Sequence, residues 1–151
     1  MRNKDTVVPL VSIGMPLYNS ARGVEQAIGS ILGQTLQDFE LIVADNASTD
    51  DSFAICQRLA AQDARIRLYR NDSNIGANRN YALVLKLATG RYFKWVTSSD
   101  FCAPTFLADC VAVLDQSPDT VLATGRTVLF TETPTDGNVY EHDFGLPAEK
   151  L

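Results

Sequence analysis

What most limits the fold of this chain is an alternation, four times over, of a short apolar run with an amphipathic helical stretch. Leu10 to Met15 is the first run, stopped by Pro16, and reads as a buried strand. Ser20 is positioned to cap a helix whose Val24, Ala27, Ile28, Ile31 and Leu32 share one face, with Gly33 at its end. Phe39 to Val43 is the second run, and Ser48 with Asp51 has the spacing of a capping box opening a helix through Ala61. Ile66 to Tyr69 is the third, followed by a helix marked by Tyr81, Val84, Leu85 and Ala88 and closed by Gly90. Tyr92 to Val96 is the fourth. Pro104 then introduces a helix with Leu107, Cys110, Val111 and Leu114 on its apolar face. Val121 to Thr124 predicts a fifth strand, Thr127 to Phe130 a sixth, and Asp136-Gly137-Asn138 a turn into a last extended piece.

Strands separated by helices need crossover connections. The pattern therefore predicts an α/β fold: a mostly parallel, Rossmann-like sheet with helices on both faces, in one domain over residues 1–151. In such sheets ligands gather beyond the carboxyl ends of the strands. The polar clusters of this sequence fall at those ends: Pro16 to Asn19, Asp45-Asn46, Asn71 to Asn80, and Ser98-Ser99-Asp100, the last expected beside the centre of the sheet.

Charge and composition narrow the chemistry. A net charge of −5 argues against broad binding to nucleic acid or anionic lipid, which needs a basic face. Cys56, Cys102 and Cys110 form no CxxC pair and His142 is the only histidine, so neither a zinc site nor a disulfide framework is expected. Reduced, packed cysteines fit a cytoplasmic setting. The first apolar stretch is broken by Pro9 and Ser12, too short for a signal peptide or a membrane span. There is no GxGxxG or GxxxxGK[ST] phosphate loop, and a lone C-terminal histidine assembles no hydrolase triad.

What remains is a rim of acids, amides and one arginine. Asp45 can accept from a base edge such as the N3–H of a uracil, or it can form an Asx-turn before the next helix. In Asn74-Ile75-Gly76-Ala77-Asn78-Arg79-Asn80, Gly76 permits close backbone approach and Arg79 can contact phosphate oxygens; the bland alternative is an ordinary helix start. Asp100 can hold Mg²⁺ or Mn²⁺ against a diphosphate, or be a plain loop aspartate.

Ser12 to Asn19, Ile31-Leu32-Gly33-Gln34-Thr35, Phe39 to Asp50, Asn74-Ile75-Gly76 with Arg79-Asn80, and Ala88 to Phe93, in that order, resemble the family 2 glycosyltransferases. The match covers residues 7–125, and 126–151 read as an incomplete acceptor-side portion. The resemblance implies a GT-A fold and a nucleotide-diphosphate sugar donor, usually a UDP-sugar, transferred with inversion to a saccharide or lipid-linked acceptor. It implies that Pro16, Tyr18 and Asp45 line the nucleoside pocket with Asn74 and Arg79 nearby, and that the metal motif falls at Ser98-Ser99-Asp100, with Ser99 beside the nucleotide and Asp100 on the metal.

Two departures stand out. Relatives offer two or three acids in the metal loop where this chain has Asp100 alone, and serine hydroxyls are poor substitutes around a hard cation. No residue matches the family's general base, so the sheet reads as cut short at its C-terminal side. A cut sheet exposes apolar surface and favours a homo-oligomer. A lipid-linked acceptor would place the chain at the inner face of the membrane. The alternative from another class is a catalytically silent nucleotide-binding module of the same fold. A nucleotidyltransferase would need a Gly-rich basic loop where Met15-Pro16-Leu17-Tyr18 stands.

Overall fold

The computed structural model describes residues 8–125, 127–130 and 139–142. It divides into two compact units, residues 1–108 and 109–151. The first holds β1 (Val11–Leu17), α1 (Val24–Leu32), β2 (Phe39–Asp45), α2 (Ser52–Ala60), β3 (Ile66–Arg70), α3 (Ala77–Leu87) and β4 (Tyr92–Trp95), and the start of α4 (Phe106–Gln116). All four strands are parallel, in the order β3-β2-β1-β4. The two central strands, β1 and β2, are the most apolar and the most deeply buried, as strands covered on both faces must be.

Alternation along the strands separates two packing faces. Ile42 and Ala44 pack with Val84 of α3, bordered by Tyr69, Leu83, Leu87 and Phe93. Ile13, Met15, Leu17, Leu41 and Val43 are buried as well, and α1 contributes Val24, Ala27, Ile28 and Ile31 to the core. Burying these side chains contributes on the order of 1.5–3 kcal/mol each against the entropy of ordering them.

Four local expectations are corrected. Ser20 is not a side-chain cap; its carbonyl accepts the Gly23 and Val24 N–H groups, and its hydroxyl donates to the Tyr18 carbonyl. The capping box is replaced by Asp50, whose Oδ1 accepts from Ser52 N at 3.0 Å and Ser52 Oγ at 2.5 Å, while Ser48 Oγ accepts from Asn19 N. Third, among the described residues β4 lies at an edge of the four-stranded sheet, not at its centre, and ends five residues before Asp100.

The last correction concerns Val121 to Thr124, which form no strand: Val121 is 94% exposed and no ladder partner exists for them among the described residues. Four apolar residues set a propensity, but backbone pairing decides. In the second unit the antiparallel pair is instead β5 (Thr127–Phe130) with β6 (Val139–His142). The expected turn at Asp136-Gly137-Asn138 lies outside the described residues.

Candidate functional site

Strand parity sends two adjacent polar residues to opposite faces. Ala44 faces α3, so Asp45 points to the other side. There it is fully buried, accepting from Ser48 N at 3.2 Å and pairing with Arg70 Nε at 3.3 Å. Arg70 also donates to the Ser48 carbonyl and lies over the Phe53 ring. The Ser48 bond is the one that the turn reading of Asp45 expects. Cys56 of α2 is close by: burial, then the Asp45 charge, pushes its thiol up to about 12.

Asn46 therefore emerges on the α3 side, where it joins a lattice of amides. Its Oδ1 accepts from Ile75 N and Asn71 Nδ2, and its Nδ2 donates to Asn74 Oδ1. Asn80 Nδ2 donates to the Ala44 carbonyl at 2.7 Å, tying the first turn of α3 to β2. Gly76 caps α3 at φ 86°, a left-handed backbone that favours glycine.

The loops after β1 and β2 are stitched together. Asn19, at φ 46°, accepts from Thr49 N through Oδ1; Ser20 N donates to Ser52 Oγ and Ala21 N to Asp50 Oδ2. Burial alone would raise the Asp50 carboxyl, but these bonds from Ser52 and Ala21 outweigh it and hold it below its usual range.

Above this floor opens a cavity of about 350 Å³ lined by Pro16, Leu17, Tyr18, Asn46, Asn74, Gly76, Ala77, Asn80 and Tyr81. That volume is at the lower end for small-molecule sites. Tyr18 is 47% exposed, an aromatic face open to a flat ligand. A second hollow of about 340 Å³ runs along Ile75, Gly76, Ala77, Asn78 and Arg79. Arg79 is exposed and has no ion pair among the described residues.

The loop after β4 is organised around Thr97, whose N–H donates to Asp100 Oδ2 at 2.6 Å and whose Oγ1 lies 3.1 Å from Ser99 Oγ. Asp100 and Ser99 are exposed. A Cβ on Gly23 would fall 2.8 Å from the Ser98 carbonyl oxygen, so only glycine lets the start of α1 approach this loop so closely. Among the described residues no three His, Cys, Asp or Glu side chains gather as a metal-binding group. One open carboxylate still fits the way Mg²⁺ is held, by one or two carboxylates with substrate phosphates and water completing the shell.

Of the residues singled out in the sequence, the structure brings Pro16, Tyr18 and Asn74 into one cavity and Arg79 into the hollow beside it. Asp45 is not in the lining, and Ser99 and Asp100 occupy the separate loop after β4. Asn46, Asn80 and Tyr81, which the sequence placed only in polar clusters and on a helix face, line the same cavity. Parity along β2 was the available signal for Asn46: if Asp45 faces one side, its neighbour faces the other.

A parallel sheet with its polar residues beyond the carboxyl ends, and an Asp-bearing loop after β4, fits a GT-A architecture. The model of the glycosyl transferase family 2 matches residues 12–150, and the chain belongs to that family. It is 30% identical over 131 residues to the glycosyltransferase GlyG of Streptococcus pneumoniae, covering 87% of this chain and 42% of that protein. Among solved structures it is similar to S. aureus TarS 1-349 in complex with UDP-GlcNAc, with TM-score 0.67 and 24% identity over 80% of this chain and 33% of that one. It is also similar to the mannosyltransferase PcManGT of Pyrobaculum calidifontis in complex with GDP-Man and Mn²⁺, with TM-score 0.65 and 26% identity over 72% and 33% of the two chains. The chain thus spans less than half the length of each of these relatives. Among its described residues no helix is long and apolar enough to cross a membrane.

Proposed function

We propose that the chain binds a nucleotide-diphosphate sugar, a UDP-sugar in the first instance, and serves its inverting transfer to an acceptor hydroxyl. The observation that carries this reading is the cavity at the carboxyl ends of β1 and β2, where an open Tyr18 ring meets Asn46 and Asn74. It suits a planar base, which the ring stacks and the amides orient. Arg79, in the adjoining hollow and without an ion pair among the described residues, suits the diphosphate oxygens. Asp45 supports the site from beneath by fixing the Ser48 turn.

Asp100, with Ser99 beside it, is the residue that would hold Mg²⁺ or Mn²⁺. When bound, the cation neutralises charge on the departing nucleotide diphosphate. The relatives solved with UDP-GlcNAc and with GDP-Man and Mn²⁺ support the donor class. A second reading, a nucleotide-binding module without turnover, is favoured by the single carboxylate of the Ser98-Ser99-Asp100 loop.

Calorimetric titration with UDP, with and without Mn²⁺ and against GDP and dTDP, tests the proposal. The expected result is UDP binding strengthened by Mn²⁺. A folded sample that binds none of the three nucleotides would sink it.

A further inference from the structure

Residues 96–105, between β4 and α4, form neither helix nor strand, and Asp100 stands at their crest with Ser99 and Phe101, all three exposed. The loop's own bonds set the carboxylate: Thr97 N–H donates to Asp100 Oδ2 at 2.6 Å, and Asp100 N–H to the Thr97 carbonyl at 3.2 Å. Hydrogen bonds this exposed open easily, so the shape of the crest depends on how its two limbs are fastened.

The first limb is fastened to the sheet, where buried Val96 donates its N–H to the Gly14 carbonyl at 3.0 Å. The second is fastened to the end of α1, chiefly by one side chain. Gln34 is 1% exposed; its Nε2 donates to the Ala103 carbonyl at 2.7 Å, and its Oε1 accepts from Leu107 N–H at 3.0 Å. Leu107 lies in the first turn of α4, whose N–H groups have no partner within the helix. Thr35 N–H reaches the Pro104 carbonyl at 2.8 Å, and Cys102 N–H the Ser30 hydroxyl at 3.2 Å.

The Gln34 bridge needs a donor and an acceptor on one side chain. A carbonyl only accepts and a backbone N–H only donates, so the amide cannot be turned round. Ionised glutamate lacks the donor, and methionine lacks both groups. Gln34 lines neither hollow, so its bonds touch no ligand directly.

Taking Asp100 as the cation residue of the reading above, we propose that Gln34 is a positioning residue for it. By fastening residues 102–107 to α1, this buried amide holds the crest in the shape in which Asp100 meets a divalent cation. The dependence is steep because the Ser98-Ser99-Asp100 loop has a single acid. A hard cation keeps a nearly fixed distance to its oxygen ligands, and no second carboxylate makes good a displacement of about 1 Å.

The folded chain is titrated with UDP, with and without Mn²⁺, and free Mn²⁺ is counted by its electron paramagnetic resonance signal. Gln34→Met fills the space and leaves Ala103 and Leu107 unpaired. It is expected to keep metal-free UDP affinity within about twofold, while the Mn²⁺-dependent gain and the Mn²⁺ held by the UDP complex fall about tenfold. Ser30→Ala removes only the Cys102 bond and is expected to lower the same gain about threefold. Glu40→Ala, which removes a buried carboxylate at the other end of the sheet, is expected to keep the gain.

A folded Gln34→Met that keeps the gain, or loses no more of it than Glu40→Ala, makes Gln34 merely structural and overturns the inference. Equal losses with and without Mn²⁺ assign its effect to the nucleotide and overturn it too. Should Gln34→Met not fold, an unchanged gain in Ser30→Ala does the same. An unmodified chain that binds UDP with no gain from Mn²⁺ overturns the inference and leaves nucleotide binding standing. Absence of any nucleotide binding ends both.

Discussion

The two ends of the sheet carry polar clusters of opposite character. At the amino end, Ser12, Glu40 and Arg67 each stand second in their strands, and Thr89 follows α3. Ser12 Oγ donates to Glu40 Oε1 at 2.6 Å; Thr89 N and Oγ1 reach the same oxygen at 2.9 and 2.8 Å. Arg67 pairs with the other Glu40 oxygen and donates to the Tyr69 hydroxyl. Burial alone would raise the Glu40 carboxyl, yet the bonds from Ser12, Arg67 and Thr89 outweigh it and hold it below its usual range.

At the carboxyl end the asparagines also bond to one another, but Asn74 Nδ2 and Arg79 have no partner among the described residues and Tyr18 is half exposed. The difference lies in who completes the bonding. At one end the chain satisfies its own polar groups; at the other it leaves donors for something else to satisfy. The count of unmet bonds is what separates a clasp from a site.

The sharpest way to break this comparison is Glu40→Ala. It strands Ser12, Thr89 and Arg67 together and should cost about 3 kcal/mol in urea unfolding. Nucleotide affinity of the remaining folded fraction should stay unchanged. A loss of affinity with stability intact would mean that the amino end also serves the ligand.

Tyr18→Ala should do the reverse. Unfolding should shift by less than about 0.5 kcal/mol, because the ring is half exposed. UDP affinity should fall about tenfold, the scale of one base–aromatic stack. Asp100→Asn should be quieter: in the same titration it removes the Mn²⁺-dependent gain and leaves metal-free UDP affinity within about twofold.

The smallest effect concerns acid. A carboxyl whose folded pKa is depressed adds stability that is fully present above its unfolded value, near 4.5 for Glu40. That stability is lost as pH falls through the folded pKa. Urea midpoints should therefore decline below pH 4.5, and less steeply in Glu40→Gln. Equal slopes in the two proteins would remove Glu40 as the acid-sensitive group.

Much of the fold was legible because its signals are local. The four strand–helix pairs follow from apolar spacing at two and at 3.6 residues, and β1 and β2 run within two residues of their expected limits. Caps were less legible. Ser48 had the right spacing for a box, but Asn19 N–H, 29 residues away, claimed its hydroxyl. Val121 to Thr124 failed for a related reason, since a strand needs a partner that its own four residues do not name.

The candidate site divides in the same way. Sequence alone determined the strand order along the chain, the polar ends, and the family pattern that singled out Pro16, Tyr18, Asp45, Asn74, Arg79, Ser99 and Asp100. Only the tertiary structure decided which polar groups remain open. Asp45 and Asn46 are neighbours with comparable side chains, and parity along β2 buries one on Arg70 and Ser48 while bringing the other to the cavity. A residue type records what a side chain can bond. Whether those bonds are already spent depends on groups brought from Ala44, Asn71, Ile75 and Gly76, and chain folding alone sets those distances.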